Sequence, residues 1–192
     1  RKQLGLTDKI VVGYFGAFHR WHGVEVLVKA FQKSFGRNKN IHLVLVGTGE
    51  LYEDIKKLIM REKLTDVVTL TGVVPYTEVS KYMAMCDICT APFLPVERFF
   101  FSPIKIFEYM AVAKAIIASK IGQIGEVLKD GESAILVEAG DRSALSEAIL
   151  GLAKNPELRE RLGNVARKEV EKYTWERNAE KILEIYQKIR RE

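Results

Sequence analysis

Three segments of this chain join glycines to cationic and carboxylate side chains at spacings that suit an anionic ligand. The first, Gly16-Ala17-Phe18-His19-Arg20-Trp21-His22-Gly23, carries a glycine at each end, one Arg and two of the three His. Glycines let a backbone approach a ligand closely, and a helix start attracts phosphate. Arg20 and His22 add side-chain donors. The spacing matches neither Gly-x-Gly-x-x-Gly nor a Walker loop; the plain alternative to phosphate contact is a turn whose Trp packs on a sheet edge. The second, Gly47-Thr48-Gly49-Glu50, puts two glycines between a strand and a helix. Gly47 reads as a structural turn and Gly49 as a point where a ligand can approach. The third is Ser102-Pro103-Ile104-Lys105-Ile106-Phe107-Glu108. Ser102 suits an N-cap and Pro103 the first helical position. Lys105 then falls in the first turn, where the helix dipole disfavours a cation and a capping box would place Glu or Gln. An anion at the helix end, neutralised in part by Lys105, resolves that mismatch. Glu108, one turn on, can accept from hydroxyls. The alternative has Lys105 in water and Glu108 as a surface carboxylate.

Two further features are weaker. Glu97 and Glu108 stand eleven residues apart, one on a loop and one on a helix, and can face one pocket or be solvated. Phe99-Phe100-Phe101 beside them would cost solubility if exposed, so a lid or a contact with another domain is expected. Cys86 and Cys89 have a C-x-x-C spacing, but no second pair exists and Cys89 falls in an apolar strand. Buried free thiols are the expected reading. His42 reads as structural, and no Gly-x-Ser-x-Gly elbow is present.

The elements that must hold these residues alternate. Short apolar runs predict strands at 10–16, 41–46, 67–70, 88–91, 115–118 and 134–137, several ending in glycine. Three- and four-residue apolar spacings predict helices at 24–35, 50–62, 75–85, 103–112, 124–129, 142–153, 156–172 and 175–190. This repetition predicts an α/β fold, a doubly wound parallel sheet of about six strands with helices on both faces and helices at the C-terminus. Ligands of such sheets bind beyond the carboxyl ends of the strands.

At 192 residues one domain is expected over 1–192. Hydrophobic residues at 47% and charged residues at 29% exclude disorder and a small disulfide scaffold. Reduced cysteines suit the cytoplasm. No apolar run reaches the ~20 residues of a membrane span, and no signal peptide is visible. The net charge of +5 is modest, and Glu interleaves the basic C-terminal stretch, so a nucleic-acid partner is not expected. The chain opens on Arg1 rather than Met, as expected of a piece of a longer polypeptide.

In order, Val12-Gly-Tyr-Phe-Gly, Trp21-His-Gly-Val-Glu-Val-Leu-Val-Lys-Ala-Phe, Val46-Gly-Thr-Gly-Glu, Leu70-Thr-Gly, Ser102-Pro-Ile-Lys-Ile-Phe-Glu-Tyr-Met-Ala and Gly122-Gln-Ile-Gly-Glu resemble the C-terminal half of retaining GT-B glycosyltransferases. The likeness covers nearly the whole chain. It implies a Rossmann-like domain that binds a nucleotide-sugar donor, with an N-terminal acceptor-binding half of the same polypeptide absent here. Any membrane association would then belong to the missing half, placing the enzyme in the cytoplasm or at the cytoplasmic face of the membrane.

By position, the resemblance implies that Glu108 binds the donor ribose. The amides of Ser102, Pro103 and Ile104 face the diphosphate, Val73 and Val74 meet the base, and Gly16, His22, Gly23 and Gly49 lie near phosphates and sugar. Arg20, His22 and Lys105 supply side-chain charge, and no metal or other cofactor is expected. The chain departs from the family pattern where many members have an Arg and a Lys in the first loop; here Ala17 and His22 stand, with Arg20 the expected substitute. Where many members carry a first carboxylate near the sugar, Phe100 stands, with Glu97 three residues upstream as the expected catalytic group. A non-catalytic nucleotide- or sugar-nucleotide-binding module is the second reading. A dinucleotide oxidoreductase is the third, weakened by the missing glycine fingerprint.

Overall fold

The computed structural model describes residues 1–97 and 102–190. The strands are β1 (Ile10–Phe15), β2 (Ile41–Val46), β3 (Val68–Gly72), β4 (Ile88–Ala91), β5 (Ala115–Ser119) and β6 (Ile135–Val137). All pair in parallel, in the order β3-β2-β1-β4-β5-β6. The helices among the described residues are α1 (Val24–Arg37), α2 (Tyr52–Arg61), α3 (Tyr76–Met85), α4 (Ile104–Ala111), α5 (Ile124–Val127), α6 (Arg142–Lys154), α7 (Pro156–Glu169) and α8 (Trp175–Ile189). Short 3-10 turns form at Arg20–His22, within the first loop, and at Val170–Lys172, at the end of the helix expected over 156–172.

The continuous apolar runs of the strands follow from burial on both faces. All six residues of β2 are buried. On one face Val12 and Tyr14 of β1 and Leu43 and Leu45 of β2 meet Leu27, Val28 and Phe31 of α1, Ile55 of α2 and Ile149 of α6. On the other, Val11 and Phe15 of β1 and Val44 and Val46 of β2 meet Met83 of α3, Ile106, Tyr109 and Met110 of α4, and Ile124 of α5. Each such side chain gains roughly 1.5–3 kcal/mol from burial, which fixes the helices against the sheet.

Between β1 and β4 the strand order reverses. A doubly wound sheet opens a crevice at that point, beyond the carboxyl ends of its strands. The loops after β1 and β4 therefore decide what can bind.

The start of α4 differs from the sequence expectation by one residue. Pro103 occupies the N-cap position with φ −76° and ψ 89°, and Ile104 is the first helical residue. Ser102 lies one step outside and makes no capping bond. Asp141, Asn155 and Thr174, by contrast, accept from first-turn amides of α6, α7 and α8. Every residue from 171 to 190 is exposed, so α8 stands off the body with Trp175 82% and Ile182 67% exposed. Among the described residues no helix is long and apolar enough to cross a membrane.

Candidate functional site

A cavity of about 710 Å³ opens at the switch point. Its wall includes Gly16, His22, Gly47, Val73, Val74, Ser102, Pro103, Ile104, Lys105 and Glu108. The sequence therefore anticipated much of this wall. Trp21, Tyr76, Val79, Met83 and Phe93 complete it with apolar surface.

The wall is held from below. Tyr109 of α4 donates its hydroxyl to the carbonyl of Thr90 at 3.2 Å and accepts the amide of Phe15 at 3.2 Å, tying α4 to β4 and β1. The hydroxyl of Ser119 donates to the carbonyl of Phe93 at 2.7 Å, and the amide of Leu94 to that of Trp21 at 2.9 Å. These bonds fix the loop after β4 against the loop after β1. The latter is also stitched to the loop after β2, with Phe18 donating to Thr48 and Leu51 to Phe18.

Two of the predicted ligand glycines serve this stitching. A Cβ on Gly23 would fall 1.8 Å from the carbonyl oxygen of Pro92. A Cβ on Gly49 would fall 2.6 Å from the amide nitrogen of Phe18. Neither lies on the cavity wall; both let backbones cross where any larger residue would clash.

Lys105 is the cation of the site. Its Nζ reaches over the end of β1 to 3.2 Å from the Tyr14 hydroxyl and 4.4 Å from the centre of that ring. Burial pushes its pKa down to about 7, against a smaller upward pull from Glu108. The reading that left Lys105 in water is thus excluded. A cation with a depressed pKa in a crevice is a group poised to meet an anion.

His22 supplies no charge near neutrality. Burial, and then the nearby Lys105, push its pKa down to about 4. Its Nδ1 pairs with the carbonyl of Ala17, which makes Nδ1 the protonated nitrogen and leaves Nε2 as an acceptor. The expectation of an imidazolium is corrected to a neutral ring wedged against Trp21 and Phe93.

The amides require a similar correction. Proline has no N–H, so Pro103 cannot donate. Ile106 donates to the carbonyl of Pro103 at 2.9 Å. Ile104 and Lys105, the first two helical residues, are the positions whose amides lack intrahelical partners.

Two predicted residues stand elsewhere. Arg20 is exposed and lines a separate 390 Å³ pocket with Glu25, Asp54, Lys57 and Arg61. Its amide donates to Glu50 at 3.0 Å. Glu97 is exposed and not on the cavity wall. Arg98 and the run Phe99–Phe101, including Phe100, lie outside the described residues. Cys86 and Cys89 are buried free thiols, as expected. His42 pairs with the hydroxyl of Thr69 across β2 and β3 at 2.9 Å.

Among the residues the sequence reading missed are Tyr76 and Val79 on the cavity wall and Tyr14 beneath Lys105, a hydroxyl-tipped residue near the end of an otherwise apolar strand.

A six-stranded doubly wound parallel sheet, with a crevice at its switch point walled by Gly16, Gly47 and Lys105, defines an α/β Rossmann-like domain. Residues 1–169 match the family of group 1 glycosyl transferases, and the chain belongs to that family. An uncharacterized glycosyltransferase of Methanocaldococcus jannaschii is 28% identical over 176 residues, covering 92% of this chain and 47% of the relative. Sucrose-phosphate synthase from Thermosynechococcus elongatus superposes with a TM-score of 0.85 at 28% identity, over 98% of this chain and 48% of that one. HepE of Anabaena, in complex with UDP, shares the fold with a TM-score of 0.78 at 24% identity, over 88% of this chain and 46% of that one. The chain spans about half the length of the curated relatives it matches.

Proposed function

We propose that this chain is the donor-binding half of a glycosyltransferase, taking a hexose from a nucleotide-diphosphate sugar with retention of anomeric configuration. The observation that carries the proposal is the position of Lys105, over the end of β1 and next to two free helix-start amides, with Glu108 one turn on. The diphosphate lies at the amides of Ile104 and Lys105, the ribose diol at Glu108, and the base among Val73, Val74, Tyr76 and Val79. HepE, which shares the fold, was crystallised with UDP, and that supports the same class of ligand here.

The chemistry follows from charge. When the bond between the anomeric carbon and the phosphate oxygen breaks, the electron pair leaves with the diphosphate. Preorganised amides and the Lys105 ammonium stabilise that charge as it develops. The proposal needs no metal. The other half of the polypeptide supplies the acceptor, and the apolar face of α8, with Trp175 and Tyr186, packs against it. Glu97 is the proposed carboxylate near the sugar, and Glu97→Ala in the full-length enzyme tests it through turnover.

One observation favours the second reading, a module that binds without transferring. Arg20 lines a pocket apart from the crevice, and His22 is neutral, which leaves Lys105 as the cation on the described wall.

Calorimetric titration of UDP, GDP and ADP into the folded chain tests donor binding. Heat with at least one of them is expected; none at millimolar ligand overturns the proposal. Glu108→Ala is expected to weaken a nucleotide with intact ribose hydroxyls more than its 2′,3′-dideoxy analogue. Equal losses remove Glu108 from that role. Turnover by the full-length protein separates transfer from binding alone.

A further inference from the structure

Tyr14 touches no solvent and does not line the cavity, yet it packs directly against Lys105, which does. Its hydroxyl donates to the carbonyl of Ala17 at 2.8 Å. A phenol has one proton, so the same oxygen must accept from the Lys105 ammonium 3.2 Å away. The ring lies beneath that ammonium as well, with its centre 4.4 Å from Nζ; the ring of Phe93 flanks it at 5.3 Å. Ala17 accepts a second bond, from Nδ1 of His22. A Cβ on Gly16 would come within 2.9 Å of Nζ, so the bare backbone of the first loop lets the lysine settle there.

We propose that Tyr14 is a positioning residue for donor binding: its ring and hydroxyl hold the Lys105 ammonium over Gly16 and, through the carbonyl of Ala17, couple that cation to His22. This rests on the donor-binding reading above. Tyr14 acts on the ligand only through Lys105. The charged and titratable groups facing Lys105 are Glu108 from its own helix, His22 from the first loop and Tyr14 from β1; Tyr109 is buried on the other face of the sheet, against Phe15. Burial pushes the Tyr14 phenol well above its ordinary range, so its proton stays on and the oxygen remains an acceptor toward lysine.

The consequence is a proton linkage. Lys105 titrates at about 7 in the free chain, so an anion that requires the ammonium binds less tightly as pH rises past that point. Removing the Tyr14 hydroxyl takes away an acceptor of the charged form, lowers the lysine pKa further and moves the loss of affinity to lower pH.

The test is calorimetry with UDP-glucose and GDP-mannose, whose phosphate charges stay fixed between about pH 6 and pH 8.5 because no phosphate carries a second ionisable proton. Tyr14→Phe keeps the ring and the core volume. In the wild-type chain affinity is expected to fall above about pH 7. In Tyr14→Phe the midpoint moves about one unit lower, so the variant binds about tenfold more weakly near pH 8 but within about twofold near pH 6. Lys105→Arg, which cannot lose its proton, flattens the wild-type profile. A Tyr14→Phe profile weakened by one factor at every pH, or unchanged, overturns the positioning role while leaving donor binding intact. A wild-type chain that binds neither of these sugar nucleotides nor ADP-glucose overturns the donor-binding reading and this proposal with it.

Discussion

The hydroxyl of Tyr109 in α4 accepts the amide of Phe15, the last residue of β1, while the two rings meet edge to face with centres 5.9 Å apart. The pair fixes the helix that carries Lys105 and Glu108 to the strand that leads into Gly16. Tyr109→Phe keeps the packing but leaves a buried amide without its acceptor. A cost of about 1–3 kcal/mol in unfolding free energy is expected, measured by urea denaturation. A loss below about 0.5 kcal/mol would mean the amide finds another partner.

Lys105 makes the site costly. Its pKa is about 7 in the folded chain and near its ordinary 10.5 when unfolded. Between those values the unfolded chain binds the extra proton, so this group makes stability rise with pH from about 7 to about 10.5. Lys105→Met removes that dependence. The variant is therefore expected to exceed the wild type in stability most at and below about pH 7, with the margin shrinking toward pH 10. It also loses sugar-nucleotide affinity. Chemical denaturation across that range checks the first claim; a margin independent of pH would show that Lys105 is solvated.

His22 has the same sign in a more acidic window. Its folded pKa of about 4 lies below the ordinary 6.5, so the stability tied to the neutral ring is complete above 6.5 and lost as pH falls toward 4. His42, also lowered by burial, adds to this acid sensitivity. His22→Gln is expected to gain on the wild type as pH falls from about 6.5 to about 4. Proton NMR of the ring gives the direct check. Its resonances should stay flat down to about pH 5, whereas a midpoint near 6.5 would show the ring to be hydrated.

Strand and helix order was legible because β1, β2, β4 and β5 are buried on both faces, and only continuous apolar runs satisfy that burial. Lys105 and Glu108 stood out in sequence because a cation in the first turn of a helix conflicts with the helix dipole and calls for an anion. Loop geometry was not. Gly23 and Gly49 look like ligand glycines in sequence, but their role is to let Pro92 and Phe18 pass, a contact made across distant segments. Arg20 looked like a phosphate donor until the 3-10 turn over Arg20–His22 placed it beside Glu25 and Asp54. The neutrality of His22 depends on burial and on Lys105, which lies 83 residues further along the chain.

The last helix has a different test, because it buries nothing within this chain. Trp175, Ile182, Ile185, Tyr186 and Ile189 of α8 are each more than half exposed. A helix of this length gains little in water without a partner face, and α8 has a side-chain cap at Thr174 rather than tertiary packing. Ending the chain at Tyr173 is therefore expected to change the unfolding free energy by less than about 0.5 kcal/mol, within the range of ordinary surface changes. UDP-glucose affinity should stay within about twofold, since no α8 residue lines the crevice. Tryptophan fluorescence gives an independent reading. Trp175 should emit as a hydrated indole in the present chain, and Trp175→Phe should leave a bluer spectrum from Trp21, which packs on Phe93 and His22. In the full-length protein the same indole is expected to shift to the blue, because the proposed role of this face is to meet the acceptor half. A red, quencher-accessible Trp175 in the full-length protein would remove α8 from that interface.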